Sequence, residues 1–287
     1  MPNDTTVLGT VCSLWRYPVK SMIGEELTAA EVTDRGLLGD RAYALVDKSS
    51  GKIASAKNPA KWGKLLECHA SFLQPPRCGQ TGPVRIALPR GGFVQSDDAD
   101  VDQVLSRELG RNVTLTAAVP EAPSLEKYWP DIEGLAHREM VTDEAIAEAA
   151  PAGTFFDFSP LLLLTTSTLD CLREVYPRGR FEARRFRPNL VIESPSDKSG
   201  FVENDWVGRN LVVGEEVLIK ILIPCPRCVI TTLPQGDLPR DLGILRAPAR
   251  HNKVMIPLLG RALPSVGVYA AVQRGGTIRR GDSVRSE

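Results

Sequence analysis

Short apolar runs, mostly β-branched and separated by glycine and proline, dominate this chain. They lie at 7–15, 42–46, 84–88, 113–116, 190–193, 211–213, 217–223 and 266–272. Short β-rich runs bounded by turn residues predict strands of a barrel-like core. Helical spacing interrupts them in three places. Between Asp97 and Leu109 the apolar residues Val101, Val104, Leu105 and Leu109 follow a helical period, and Gly110 ends it. Thr142–Ala150 opens on a capping residue and stops at Pro151, and Ser167–Tyr176 stops at Pro177. Residues 118–140 lack sustained periodicity and carry Pro120, Pro123, Pro130 and Gly134, which reads as a connector. The pattern predicts a mainly β fold with a few helices (α+β) in two lobes. The expected division is residues 1–125, an N-terminal β-barrel-like domain, and 126–287, a second β-barrel domain.

Composition narrows the function more than the fold. Lysine plus arginine and aspartate plus glutamate both number 35, so the net charge is zero. No nucleic acid is expected as a macromolecular partner, although a local basic pocket is compatible with this balance. No apolar stretch approaches the ~18 residues of a membrane span, so no membrane partner is expected. Residues 1–6 show neither a basic region nor an apolar core of a secretory leader, and the expected location is cytoplasmic. Six cysteines are dispersed at 12, 68, 78, 171, 225 and 228. That spacing does not form a disulfide framework, and reduced thiols are expected.

Only Cys225-Pro-Arg-Cys228 brings two cysteines close in sequence. A thioredoxin-like dithiol needs its first cysteine at a helix start, whereas Val229–Thr232 reads as strand. A structural zinc site commonly needs two such pairs, and no second pair exists. Two small buried hydrophobes are a further reading. The remaining one is a single working thiolate, Cys228, beside Arg227, since a neighbouring guanidinium favours the thiolate.

Other candidates gather charge. Phe181–Leu190 holds Arg184, Arg185 and Arg187, whose planar forks suit phosphate or carboxylate oxygens, and Asn189 adds a paired donor and acceptor. The alternative is a solvated basic loop. Lys20 and Ser21 follow an expected strand end and suit an anionic group, or form an ordinary turn. Arg41, before the run at 42–46, is either an anion contact or a partner of Asp34 or Asp40. Gly24, Gly36 and Gly39 do not make a dinucleotide-binding spacing, no P-loop is present, and no G-x-S-x-G appears. His69, His137 and His251 have no evident partner in the sequence.

Taken together, these tags resemble the MOSC family, named for the C-terminal domain of molybdenum-cofactor sulfurase. They resemble most its two-part members with a MOSC N-terminal β-barrel domain, the amidoxime-reducing component group and its bacterial counterparts. The tags are Tyr17–Ser21, Gly39–Tyr43, Ser55–Pro59, Phe158–Pro160, Arg185–Asn189, Cys225–Thr232, Gly267–Tyr269 and Gly276–Asp282. The resemblance implies a molybdenum cofactor (Mo-molybdopterin), with Cys228 as the catalytic residue and the metal ligand. It implies cofactor binding by Lys20, Ser21, Arg41, Phe158, Ser159, Arg187, Asn189, Arg227 and Tyr269. Ser55–Pro59 departs from the Arg-Gln type pair of close relatives, so no contact carries over to Lys57 or Asn58. A ferredoxin-type cysteine set and a membrane anchor, found in some relatives, are not expected here.

The implied activity is a pyridoxal-phosphate-independent oxidoreductase acting on small N-hydroxylated compounds such as amidoximes, hydroxamic acids or hydroxylated base analogues. No flavin, haem or iron–sulfur motif is visible, so electrons are expected from a separate reductase or ferredoxin-type protein. Two alternatives keep the fold: a sulfur transferase using a Cys228 persulfide, and a non-enzymatic cofactor carrier.

Overall fold

The computed structural model describes residues 6–287. Residues 1–5, on which part of the leader argument rests, lie outside the described residues. The fold is mainly β with a few helices, as the alternation predicts. Seven strands close a barrel: Leu161–Thr165, Leu190–Glu193, Val7–Arg16, Ser283–Ser286, Asn210–Val213, Val217–Pro226 and Arg261–Arg274, the last pairing back to the first. Val217, Ile219 and Ile221 are buried while Leu218 and Lys220 between them are not, which is the period of a strand with one face in a core. Val11, Leu14, Leu163, Ile192, Leu211, Val268 and their neighbours fill the barrel interior. Burying each such side chain stabilises the fold by about 1.5–3 kcal/mol relative to exposure.

The second lobe is built mainly from residues 17–23 and 43–116; between them the strands Glu25–Leu27, Ala29–Thr33 and Gly36–Leu37 return to the barrel side. Helix Val101–Leu109 packs against strand Val113–Thr116, which pairs with Ala44–Asp47. A meander of His69–Phe72, Val84–Ala87 and Phe93–Gln95 lies alongside. Met22, Leu45, Trp62, Leu65, Ile86 and Leu105 form its core. The chain therefore starts in the barrel and leaves it at residues 17–23. That crossing carries Lys20 and Ser21, and places them between the lobes.

Several expectations need correction. Thr142–Ala150 is not a helix: Met140–Ala145 is a strand paired with Ser124–Trp129, inside the stretch read as a connector. The helix-favouring Ala and Glu residues yield to cross-strand contacts. Trp129 Nε1 donates to Thr142 Oγ1 at 2.7 Å, and Lys127 pairs with Glu144 at 3.0 Å. Val229–Thr232 is not a strand but a 3-10 turn. Its threonine hydroxyls donate back to the carbonyls of Cys228 and Val229, a local bond that competes with β pairing. The expected helix from Asp97 begins at Val101, because Asp98 instead accepts from the backbone N–H of Gln95. Helix Gly243–His251 lies in a proline-rich stretch whose periodicity gives no helix. It buries Ile244 and Leu245, the former against Leu169, Leu172 and Phe181.

Candidate functional site

Where the two lobes meet, a small inner chamber opens. It is lined by Lys20, Ser21, Arg41, Ser159, Arg187, Asn189, Arg227, Cys228 and Tyr269. These are nine of the ten residues carried over from the family tags, gathered from both lobes. Phe158 lies outside it, with its ring 5.3 Å from that of Tyr269, and faces a second, outer chamber.

Backbone strain sets several of these side chains. Ser21, Arg41 and Arg187 have φ of 66°, 49° and 56°. Such left-handed conformations are uncommon for non-glycine residues and persist where surrounding contacts fix them. Arg41 and Arg187 stack on the Tyr17 ring, at 4.5 and 4.2 Å from its centroid. Arg187 also donates to the Met22 carbonyl at 2.7 Å. Burial, then repulsion from Arg41, lowers its pKa to about 10. Burial raises the Tyr17 hydroxyl above its ordinary range and keeps the ring neutral beneath both cations.

Asn189 is engaged by the protein itself. Its Oδ1 accepts from the Leu162 N–H at 3.1 Å, and its Nδ2 donates to Asp40 at 2.8 Å and to the Trp15 carbonyl at 3.3 Å. Asp40 in turn pairs with Arg41 and accepts from the Tyr17 N–H at 2.7 Å. Asn189 thus ties the barrel wall to the Arg41 turn. Ser159 Oγ donates to the Ala270 carbonyl at 2.7 Å, and Ser21 Oγ accepts from the Ala56 N–H at 3.2 Å.

Three charged residues of the chamber, Lys57, Lys127 and Asp157, are given no role by the sequence. Lys20 Nζ donates to Asp157 Oδ1 and to the Phe155 carbonyl, each at 2.6 Å. Lys57 Nζ lies 3.3 Å from the same carboxylate and 4.0 Å from Glu144. Burial lowers the Lys20 pKa to about 8 despite Asp157. Burial opposes the charge on Asp157 as well, but Lys20 and Lys57 outweigh it and hold the carboxyl well below the usual range. Lys57 feels the same burial, offset by Asp157, Cys228 and Glu144, and stays charged. Adjacency was the available signal: Asp157 precedes Phe158-Ser159, and Lys57 sits inside the Ser55–Pro59 tag.

Cys228 follows the long barrel strand Val217–Pro226 and is 9% exposed, enough to meet the chamber. It packs with Ala56, Leu66 and Ile230 on its other side. Arg227 is buried beside it. Its Nη1 donates to Cys225 Sγ at 2.8 Å and its Nη2 to the Phe186 carbonyl at 2.7 Å, whereas Nε is buried without a partner. Cys225 is buried behind Arg227, and burial raises its thiol pKa against the pull of that charge.

Of the described residues lining the inner chamber, six are cationic and Asp157 is the one carboxylate. Its free volume is about 90 Å³ as those side chains stand. Excess positive charge and an orphaned guanidinium N–H suit an anionic, phosphate-bearing ligand. The Cys228 sulfur suits a thiophilic metal. By charge and donor chemistry the residues fit a molybdenum cofactor.

Residues 8–62 match the model of the MOSC N-terminal beta barrel domain, and residues 151–285 match that of the MOSC domain. Mouse "mitochondrial amidoxime-reducing component 1" is 28% identical over 298 residues, covering 96% of this chain and 82% of its own length. Human "mitochondrial amidoxime reducing component 2" is 27% identical over 303 residues, covering 96% and 83%. The solved YUAD protein from Bacillus subtilis aligns over 97% of this chain and 94% of its own, with 10% identity and a TM-score of 0.46, too distant to add to the fold argument. With both domain models matched in order and the strands closing a barrel, this chain belongs to the MOSC family, carrying the N-terminal beta barrel domain ahead of the MOSC domain.

Proposed function

We propose that this protein is a molybdenum-cofactor-dependent oxidoreductase that reduces N-hydroxylated small molecules, with electrons from a separate donor protein. The observation that carries the reading is a single thiol, Cys228, at the wall of a chamber lined by six cations and one carboxylate. The names of the relatives place amidoxime reduction among the activities of similar proteins.

In this reading Cys228 supplies a thiolate to molybdenum. Lys20, Ser21, Arg41, Arg187 and Arg227 hold the anionic parts of the cofactor, and the Arg227 Nε proton finds there the acceptor it lacks in the protein. Ser159 and Tyr269 shape the wall, Phe158 stands behind Tyr269, and Asn189 keeps the Arg41 turn in place. The cofactor, when bound, supplies the two-electron chemistry at the N–O bond. Lys57 keeps a positive charge at Nζ where the inner and outer chambers meet.

The test is metal content together with turnover. Protein expressed in cofactor-competent cells should contain about one molybdenum per chain and reduce an amidoxime with a chemical reductant. Cys228→Ala should lower that rate by more than about 100-fold, since it removes the metal-binding sulfur itself and losing even an outer-shell partner of a ligand costs about 10–100-fold. A variant that reduces at the normal rate overturns the ligand assignment. Cyanolysable sulfur without molybdenum would instead favour persulfide transfer by the same residue.

A further inference from the structure

The arginines at 184, 185 and 187 have three different fates. Arg187 lines the inner chamber. Arg184 joins Arg180 in partly exposed ion pairs with Glu182 and Asp237, which contribute little. Arg185 is fully buried, and among the described residues its side-chain donors meet backbone carbonyls alone. Nε donates to Arg180 at 2.9 Å, Nη1 to Thr231 and Leu233 at 3.2 Å each, and Nη2 to Pro239 at 2.8 Å. Burying a guanidinium without a counter-charge is costly unless hydrogen bonds satisfy it, and here four do so.

Thr231 and Leu233 belong to the 3-10 turn that starts at Cys228. The other carbonyls of that turn are met from within the same segment: Cys228 by Thr231 Oγ1, Val229 by Thr232 Oγ1, Ile230 by Gln235 Nε2 and Thr232 by the Asp241 N–H. Arg185 is the donor that ties the turn to a distant part of the chain. The flank before Cys228 is held by the same helical turn, Ala183–Phe186: Arg227 Nη2 donates to the Phe186 carbonyl at 2.7 Å. The Arg227 N–H also donates to the Pro264 carbonyl at 2.8 Å, fixing that residue to the neighbouring barrel strand. Cys228 itself packs with Ala56, Leu66 and Ile230, contacts that are non-directional. Its direction is therefore set by its two flanks, and residues 185 and 186 grip both.

We propose that Arg185 is a positioning residue for the reaction: it fixes the turn after Cys228 and so aims the sulfur into the inner chamber. Thiol placement follows from the contacts above, and its effect on turnover rests on the function proposed for Cys228. Lysine keeps the charge but not the planar fork, so Arg185→Lys cannot serve the same four carbonyls.

The apoprotein gives a readout independent of turnover. The folded full chain is treated with iodoacetamide at one pH, and the alkylation rate of each cysteine is followed by peptide mass. Cys228 in Arg185→Lys should react about tenfold faster than in the native protein, as a local opening of the turn exposes it. Exposed Cys78 is the internal reference, and Cys68, buried in the other lobe, reports general loosening. Neither should change. Arg184→Ala, which loses the exposed ion pairs alone, should leave all three rates within about twofold of native, as such pairs contribute little. Loaded with cofactor, Arg185→Lys should lower kcat by about 10–100-fold with KM for an amidoxime unchanged, and should shift the paramagnetic resonance spectrum of the molybdenum. An unchanged Cys228 rate in Arg185→Lys, or a rise matched by Cys68, overturns the proposal. So does a selective rise with kcat and spectrum at their native values. A selective rise in a chain whose native form takes up no molybdenum supports the aiming of the thiol and overturns the metal-ligand reading instead.

Discussion

The inner and outer chambers share a wall but differ in what they carry. The inner one has a surplus of cations, a thiol and about 90 Å³ of free space. The outer one is about 430 Å³, balanced in charge and walled by aromatic and aliphatic side chains. Their construction differs too. Inner-chamber cations are held by buried hydrogen bonds and by stacking on Tyr17, an arrangement made by both lobes. The outer wall comes from a hairpin, Ser124–Trp129 with Met140–Ala145, and from the strand pair Lys253–Ile256 with Arg261–Arg274. One region is suited to grip a permanent anion and the other to exchange neutral molecules.

That contrast breaks first at Arg187. Its guanidinium is buried, stacked and hydrogen-bonded, so Arg187→Met should weaken cofactor binding by about 100-fold, the scale of truncating a desolvated charge contact, and lower the molybdenum content per chain. Metal analysis beside thermal unfolding separates cofactor loss from loss of fold. Native metal content in a folded variant would show that the inner chamber does not need this cation. A smaller effect is expected at Asp157, the one carboxylate of the inner wall. Asp157→Asn releases Lys20 and Lys57 from their shared partner. The side chain is 38% exposed, so the loss should be about 1 kcal/mol, visible as a lower Tm. The same change leaves the chamber more positive and should tighten the binding of phosphate-bearing anions by the apoprotein.

Much of the inner chamber is legible in the sequence, because its residues lie in short tags where proline, glycine and arginine break the alternation. Cys228, Arg187 and Lys20 each stand at such a break. The strands are legible for the same reason: Val113–Thr116 and Leu190–Glu193 have the bounds that their β-branched runs suggest. The outer chamber is much less so. Its hairpin sits in a proline-marked stretch followed by helix-favouring Ala and Glu, and only the distant cross-strand partners make it a hairpin. Lys57 is missed because its role depends on Asp157, a hundred residues away in the chain and 3.3 Å away in space. Asn189 is legible as a site residue, but its bonds to Leu162, Asp40 and Trp15 are properties of the assembled lobes.

The last of these effects is a dependence on pH, and it separates the chambers without altering a single residue. Burial places the Lys20 pKa at about 8, below its ordinary 10.5. In the free protein this group therefore loses its charge as pH rises through about 8. A bound anion favours the charged form, so binding takes up a proton above that pH. By linkage the apoprotein's affinity for an anion whose own charge does not change should fall by about tenfold between pH 7 and 9. Folding has the opposite sign: the unfolded chain binds the proton more tightly, so this group's destabilising contribution diminishes as pH rises from 8 towards 10.5. Lys20→Arg keeps its charge throughout and should flatten the affinity profile. A neutral amidoxime taken by the outer chamber should bind equally well across the same range. Calorimetric titration with sulfate, whose charge is constant over this range, and fluorescence titration with the amidoxime, run side by side on the apoprotein, measure both. If both ligands lose affinity together, the two chambers are one electrostatic site; a sulfate profile that is flat to pH 9 removes Lys20 from the anion cradle.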